Sequence, residues 1–349
     1  PGFLKVFSYK YYNFFKILEP RISYFINVFA SEIFKNHQIA SLLFRKAPIS
    51  LVLTSTIVDA PQEVILKLAR ENKIPVIKYQ HGAYGMYFKH DVFESEDTNS
   101  DYVLMYGPAV TQQFENYTKH RNKFIPTGSP FLDQLKKYYD HNIPISTDSK
   151  KKAVYVIGNL TGNYRYLSFN ENYPDNWWFH RIQKSIIDTL AQFHDWEIII
   201  KLHPASKVPQ SLIENYIKDN QWNHFKFEKN KNFATLLQEI NDLKLIIVDL
   251  PSTTLLEALC TKSDIFVFEG INPSTEVDSF GKQLLGKRTF YSNDINAFIE
   301  NLRGYLNNKY TKKQNNNEFL KQFGIYLNDN KSKERTLKFI TNIINKNKQ

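Results

Sequence analysis

The chain is poor in the residues that build covalent or metal-bound scaffolds. Its single cysteine, Cys260, has no partner for an internal disulfide, which fits a reducing compartment. Cys260 sits inside an apolar run and reads as a small core residue, not a nucleophile. No His/Cys cluster has metal-ligand spacing and no Asp-x-Asp triplet occurs, so neither a metal nor another cofactor is expected; Asp91, Glu94, Glu96 and Asp97 read as a solvated acidic loop. The G-x-S-x-G elbow of an α/β-hydrolase is missing. The G-x-G-x-x-G dinucleotide fingerprint is missing too. No apolar run approaches the roughly eighteen residues of a membrane-crossing helix. Zinc-finger spacing, RNA-binding aromatics and a helix-turn-helix pattern are absent, which leaves no nucleic-acid partner. The chain opens on Pro1 and not Met, so a fragment or a processed chain is expected, with any signal or anchor upstream invisible.

Aromatic and basic residues are what the chain has in quantity. It carries 27 Phe and 21 Tyr among 349 residues, enough chain for two domains with real cores. Many aromatics crowd into residues 1–45, from Phe3, Phe7 and Tyr9 to Phe25, Phe29 and Phe34. Two readings fit that stretch: helices facing a core, or an interfacial helix on an anionic membrane with Lys5, Lys10, Lys16 and Arg21 towards the headgroups. The net charge of +10 is partly in Lys150, Lys151 and Lys152 and partly in Lys331, Lys333, Arg335, Lys338, Lys346 and Lys348. That excess suits an anionic substrate or an anionic lipid surface.

From Ile49 onward, strand-length apolar runs alternate with helical segments. Strands are predicted at 51–54, 74–79, 102–106 and 124–126, with helices over 61–72, up to 117, and a short one from 131. A polar stretch, 140–152, has the composition of an interdomain linker. After it come strands at 153–157, 197–202, 225–227, 245–248 and 265–268, and helices at 177–194, 209–218, 233–240 and 252–261. The tail from Asn307 is Asn/Lys-rich and ends in a helical segment near 337–344. The expected fold is α/β: two doubly wound, Rossmann-like domains facing across a cleft, 1–145 on the acceptor side and 150–325 for the donor nucleotide, followed by a basic helix over 326–349.

Open α/β sheets bind ligands at the carboxyl ends of their strands, so the residues that terminate strands are the candidates. His203-Pro204 ends one strand after Lys201; proline cannot continue the ladder, and the imidazole at that tip suits a phosphate oxygen or a leaving group. Ser252-Thr253-Thr254 opens a helix after another strand, where free amides and hydroxyls favour an anion. Thr254 and Glu257 also have capping-box spacing. Gln80-His81-Gly82 closes a strand of the first series, with His81 as a general base for an acceptor hydroxyl and Gln80 and Gly82 beside it. Gly158 and Asn159 begin a loop suited to diphosphate, and Tyr164 and Arg165 within it suit an acceptor. Gly128, in Thr127-Gly128-Ser129-Pro130, is expected along the same cleft. Glu269 is placed either at ribose hydroxyls or on a solvated turn.

Four segments, KYQHG at 78–82, PTGSP at 126–130, IKLHP at 200–204 and DLPSTTLLEAL at 249–259, together resemble the GT-B glycosyltransferases over about residues 49–325. More narrowly they resemble bacterial surface-polysaccharide enzymes with CMP- or CDP-activated donors: CDP-glycerol glycerophosphotransferases and the CMP-linked sialic acid and Kdo transferases of capsule assembly. The resemblance implies that His81 supplies the base, His203 contacts donor phosphate and Ser252 and Thr253 lie beside it, without a metal. It departs at Gln80, where the glycerophosphotransferases usually have tryptophan, and in lacking the acidic base motif of the sialyltransferases. The expected activity is transfer of a glycosyl or polyol-phosphate group from a CMP- or CDP-linked donor to a glycan or lipid-linked acceptor, in capsule, lipopolysaccharide or teichoic-acid-like polymers. The expected location is the cytoplasm, peripheral on the inner face of the plasma membrane. A UDP-sugar donor, a sugar-nucleotide epimerase and a non-catalytic scaffold are the alternatives.

Overall fold

The computed structural model describes residues 8–10, 12–55, 60–82, 100–118, 123–141, 150–158, 182–202, 212–228, 231–240, 243–269, 276–310 and 316–347. Two sheets follow the two predicted strand series. The first has four strands in the order β3-β4-β5-β6, where β3 is Val52–Thr54, β4 Val76–Tyr79, β5 Tyr102–Met105 and β6 Phe124–Pro126. The second has six: β7 (Lys151–Val156), β8 (Trp196–Lys201), β9 (Phe225–Glu228), β10 (Leu243–Val248), β11 (Asp264–Phe268) and β12 (Phe290–Ser292), in the order β12-β11-β10-β7-β8-β9. Its neighbouring pairs are all parallel. Chain order β7, β8, β9 runs outward on one side and β10, β11, β12 on the other, the doubly wound 3-2-1-4-5-6 arrangement.

Parallel strands covered on both faces read as continuous apolar runs, and these do. Leu245, Ile246, Ile247 and Val248 are fully buried, as are Ile265, Phe266, Val267 and Phe268. Ala153, Tyr155, Ile198, Ile200, Leu245, Ile247 and Phe266 form one core with Ile186, Ile187 and Leu190 of α6 (Lys184–Leu190) and Phe298 and Leu302 of α11 (Ile295–Leu306). The predicted linker is shorter at both ends than its composition implied: Asp140 and His141 finish α5 (Pro130–His141), and Lys151 and Lys152 open β7.

The chain divides into two compact units, Pro1–Tyr79 with Asp97–Val103 and Ile340–Gln349, and Gln80–Glu96 with Leu104–Phe339. In the first, β1 (Ser8–Tyr9) and β2 (Tyr12–Asn13) make a short hairpin before α1 (Phe15–Tyr24), a π-helical segment (Phe25–Phe29) and α2 (Ala30–Lys46). Pro20 lies inside α1 and removes one helical donor there. One face of α2 reaches a core, with Ala40 its buried residue, while Ile17, Tyr24, Phe25, Ile26 and Phe34 are exposed. Ala40 meets Val64 and Leu68 of α3 (Ala60–Glu71), helped by Ile33, Phe44 and Ile65. Among the described residues no helix is long and apolar enough to cross a membrane.

The second unit contains elements that the sequence reading passed over: α10 (Ser279–Gly286), β12, α11 and α12 (Glu318–Phe323). The tail helix, α13, is longer than expected, Ser332–Lys346. Its first turn docks on the β6–α5 turn. Ser332 N–H donates to Asp133 Oδ2 at 2.9 Å, and Arg335 Nε donates to Thr127 O at 2.9 Å. Arg335 Nη1 also donates to both carboxylate oxygens of Asp329, each at 2.8 Å.

Candidate functional site

Strand order reverses between β7 and β10, and ligands of doubly wound sheets bind at that switch point, beyond the carboxyl ends of the strands. Gly158 follows β7, and Asp249 follows β10. The two are joined: Gly158 N–H donates to Asp249 Oδ1, while Tyr155 Oη donates to Oδ2 at 2.9 Å and Gln183 Nε2 donates to Oδ2 at 3.0 Å. Asp249 is fully buried, with these three donors around its carboxylate. Gly158 can only be glycine in this position, because a β-carbon would fall 2.2 Å from Leu250 Cβ. One carboxylate thus fastens both Gly158 and Gln183, which stand on either side of residues 159–182 in the sequence.

Pro251 and Ser252 carry the chain from β10 into α9, Thr253–Leu259. Ser252 occupies the N-cap, and its hydroxyl makes no capping bond; Ser252 Oγ lies 3.0 Å from Thr254 Oγ1. The expected capping box between Thr254 and Glu257 is therefore not formed. Thr254 is already in the first helical turn, so Glu257 lies five residues past the Ser252 N-cap and not the three that a capping box needs. With two turns only, α9 offers hydroxyls and end amides more than a long macrodipole.

Glu257 instead turns into the protein. It is buried, it accepts a backbone N–H from Ala234, and its Oε2 has no hydrogen-bond partner among the described residues. Burial pushes its pKa up to about 7, against the Ala234 bond and the nearby Lys201 charge. Lys201, at the end of β8, is also buried and donates to Leu202 O at 2.6 Å. Burial lowers its pKa, opposed by Glu228 and Glu257. The cation predicted near phosphate is thus held inside the protein, beside a carboxyl of abnormal acidity.

Gln80-His81-Gly82, from the other strand series, arrives at the same place. Gly82 has φ +60° and packs so closely on α9 that a β-carbon would fall 2.3 Å from Thr253 Oγ1. Tyr106, just past β5, accepts the Gly82 N–H on its hydroxyl and bonds the Ser129 side chain, within electrostatic reach of Glu257. Burial raises the Tyr106 pKa, and those two hydrogen bonds oppose it. His81 is exposed at this tip. Gln80 is not an open cleft residue: it is 1% exposed, its Oε1 accepts from Tyr106 N–H and its Nε2 donates to Gly82 O, each at 2.8 Å.

Other predicted residues fall elsewhere. Gly128, expected along the cleft, has φ +84° and lies under α13, where a β-carbon would be 2.1 Å from Ser332 Oγ; Thr127 and Ser129 are buried with it. The reason is the docking of Ser332 and Arg335, which no local pattern encodes. Glu269 is buried, not on a solvated turn, and its carboxylate takes Val277 N–H, the Tyr291 hydroxyl and, at 3.3 Å, Lys282 Nζ. Cys260 is buried, as predicted, and burial pushes its thiol pKa up, so it is a packing residue. His203, Pro204, Asn159, Tyr164 and Arg165 lie outside the described residues. The sequence reading missed Asp249, Tyr106 and the ionisation of Glu257. Only Asp249 left a signal, as the acidic stop to an apolar run.

Among the described residues no group of three or more His, Cys, Asp or Glu is placed to hold a metal ion. A family model described as LIC12162 family transferase matches residues 8–263. No curated protein matches the chain. Among solved structures, the chain is similar to the S. aureus MnaA–UDP co-structure, at 14% identity over 90% of this chain and 79% of that one, with a TM-score of 0.59. It is similar to the Methanocaldococcus jannaschii UDP-GlcNAc 2-epimerase in complex with UDP-GlcNAc and UDP, at 16% identity over 89% and 80%, TM-score 0.57. It is similar as well to Arabidopsis thaliana UGT89C1 complexed with UDP, at 11% identity over 92% and 80%, TM-score 0.55. The fold is GT-B-like.

Proposed function

The chain belongs to the LIC12162 family of transferases, and from that premise we propose that it moves a glycosyl or polyol-phosphate group from a nucleotide-activated donor to a hydroxyl acceptor. The observation that carries this reading is the packing of Gly82, the residue after the exposed His81, on Thr253, which stands between the hydroxyl-bearing Ser252 and Thr254. A base and an anion-binding group side by side suit one displacement. His81 takes the proton of the acceptor hydroxyl. The acceptor oxygen bonds to the anomeric carbon or the phosphorus of the donor. The bond from that centre to the nucleotide's phosphate breaks, and its electron pair leaves on phosphate oxygen, facing Ser252, Thr253 and Thr254.

The nucleotide is a pyrimidine one in this reading. CMP- and CDP-linked donors follow from the sequence resemblance. UDP-linked donors gain support from solved structures of similar fold that hold UDP. Glu257, with a pKa pushed up to about 7 and an oxygen that lacks a partner among the described residues, would add a hydrogen bond to a donor hydroxyl. A glycan or lipid-linked acceptor at the inner face of a bacterial membrane fits the surface-polysaccharide chemistry.

The test supplies the purified chain with CMP-sialic acid, CDP-glycerol and UDP-GlcNAc and follows nucleotide release with and without a lipid extract. Release that needs the extract and falls about 10²-fold or more in His81→Ala supports the proposal. Release from UDP-GlcNAc with no acceptor, together with formation of its 2-epimer, would replace transfer by epimerisation, the activity of the Methanocaldococcus jannaschii UDP-GlcNAc 2-epimerase of similar fold.

A further inference from the structure

Gln80 stands directly before the exposed His81, in a tripeptide whose last residue is held in a left-handed conformation against Thr253. Its backbone N–H donates to Leu104 O at 2.9 Å, so the residue is still tied to the sheet. Its side chain then makes two bonds that span the histidine. Oε1 accepts from the N–H of Tyr106 and Nε2 donates to the carbonyl of Gly82, two residues on. Tyr106 closes the ring from the other side, because its hydroxyl accepts from the Gly82 N–H. Both polar atoms of the amide are used inside the protein, and Gln80 is 1% exposed.

A strand tip carrying one exposed imidazole has two soft backbone dihedrals per residue to settle. Bridging Gln80 to Gly82 fixes the carbonyl beyond the histidine, and bridging Gln80 to Tyr106 fixes the residue before it. The backbone on both sides of His81 is therefore pinned by one side chain. A carboxylate could not replace it, since it would face the Gly82 carbonyl without a donor. An apolar residue would leave the part-buried Tyr106 N–H and Gly82 carbonyl without these partners.

We propose that Gln80 is the positioning residue for His81: it acts through the backbone of the tripeptide, touches no substrate, and fixes the direction in which the imidazole leaves the strand tip. The inference rests on His81 being the working residue of the site, and its test is independent of turnover.

The whole chain is labelled with carbon-13 at histidine Cε1 and its nine histidines are followed by NMR through a pH titration, with His81→Ala assigning the signal. In Gln80→Met the His81 signal is expected to shift and broaden and its titration midpoint to move, while the other eight keep their wild-type positions. Gln80→Glu retains the bond from Tyr106 and loses the donor to Gly82, so it gives the same comparison where the apolar variant unfolds. An unchanged His81 signal and midpoint in a folded variant overturns the proposal. So does a displacement shared by all nine histidines, the mark of a general structural loss. If Gln80→Met displaces only the His81 signal while His81→Ala keeps full transfer activity, the positioning role stands and the role of His81 as base falls.

Discussion

Gly82 and Thr253 touch across 171 positions of sequence, with the glycine at φ +60° and no room for a β-carbon, which would lie 2.3 Å from the threonine Oγ1. That contact joins the strand tip bearing His81 to the hydroxyl-rich start of α9. Gly82→Ala should cost stability twice, through about 1–2 kcal/mol of left-handed backbone strain and through displacement of the Thr253 side chain. Gly82→Ala with Thr253→Ala should recover the second share only. Denaturant unfolding of the four proteins of the cycle measures the coupling, and strictly additive losses would deny the contact.

Asp249 holds Gly158, Tyr155 and Gln183 from a fully buried position. Asp249→Ala leaves two buried donors and the part-buried Gly158 N–H without their acceptor and should destabilise the fold by on the order of 3 kcal/mol, with Asp249→Asn in between. Urea unfolding monitored by tryptophan fluorescence gives the value. A change lost in the experimental error would mean that Gly158 and Gln183 are fastened by something else.

What the sequence made legible was the sheet, and the reason is physical. Runs such as Leu245–Val248 and Ile265–Phe268 are buried on both faces, so each announces itself without any partner in view. Strand tips were equally legible: His81 follows β4 at an exposed tip and Ser252–Thr254 follow β10, as their sequence patterns implied. Nothing local revealed that Ser332 and Arg335 would cover Gly128, or that Gln80 would turn inward to Tyr106. Those are bonds between distant segments, and a side chain's spacing does not say who will meet it. Glu257 was misread for the same reason: its spacing from Thr254 fits a cap, whereas its burial and its Ala234 partner come from tertiary packing.

Glu257 also predicts a pH dependence. Its pKa is pushed up to about 7 by burial, above that of an unfolded glutamate, so the folded chain binds the extra proton between the two values. Stability from this group is complete below the unfolded pKa and declines as pH rises through about 7. Glu257→Gln keeps the size and removes the titration. Relative to the variant, the wild type should lose on the order of 3 kcal/mol between about pH 4.5 and 7.5. Thermal unfolding of both proteins across that range reads the difference. Parallel curves would place the Glu257 pKa near that of an ordinary carboxyl.

Cys260 is buried, and its thiol is held protonated by that burial. The native chain should react with a thiol-specific disulfide reagent only as fast as it opens, and the denatured chain at once. Absorbance of the released chromophore checks this. A fast stoichiometric reaction of the folded protein would contradict the packing role.

The central claim, that Ser252 and Thr253 face the phosphate of a pyrimidine nucleotide beside His81, is tested most directly by nucleotide binding. UDP, CDP, CMP and GDP are titrated into the wild type, Ser252→Ala and Thr253→Val by calorimetry. At least one pyrimidine nucleotide should bind the wild type and bind each variant about tenfold more weakly, while His81→Ala binds it as the wild type does. Binding that ignores Ser252 and Thr253, or no binding by any of the four nucleotides, would contradict the account.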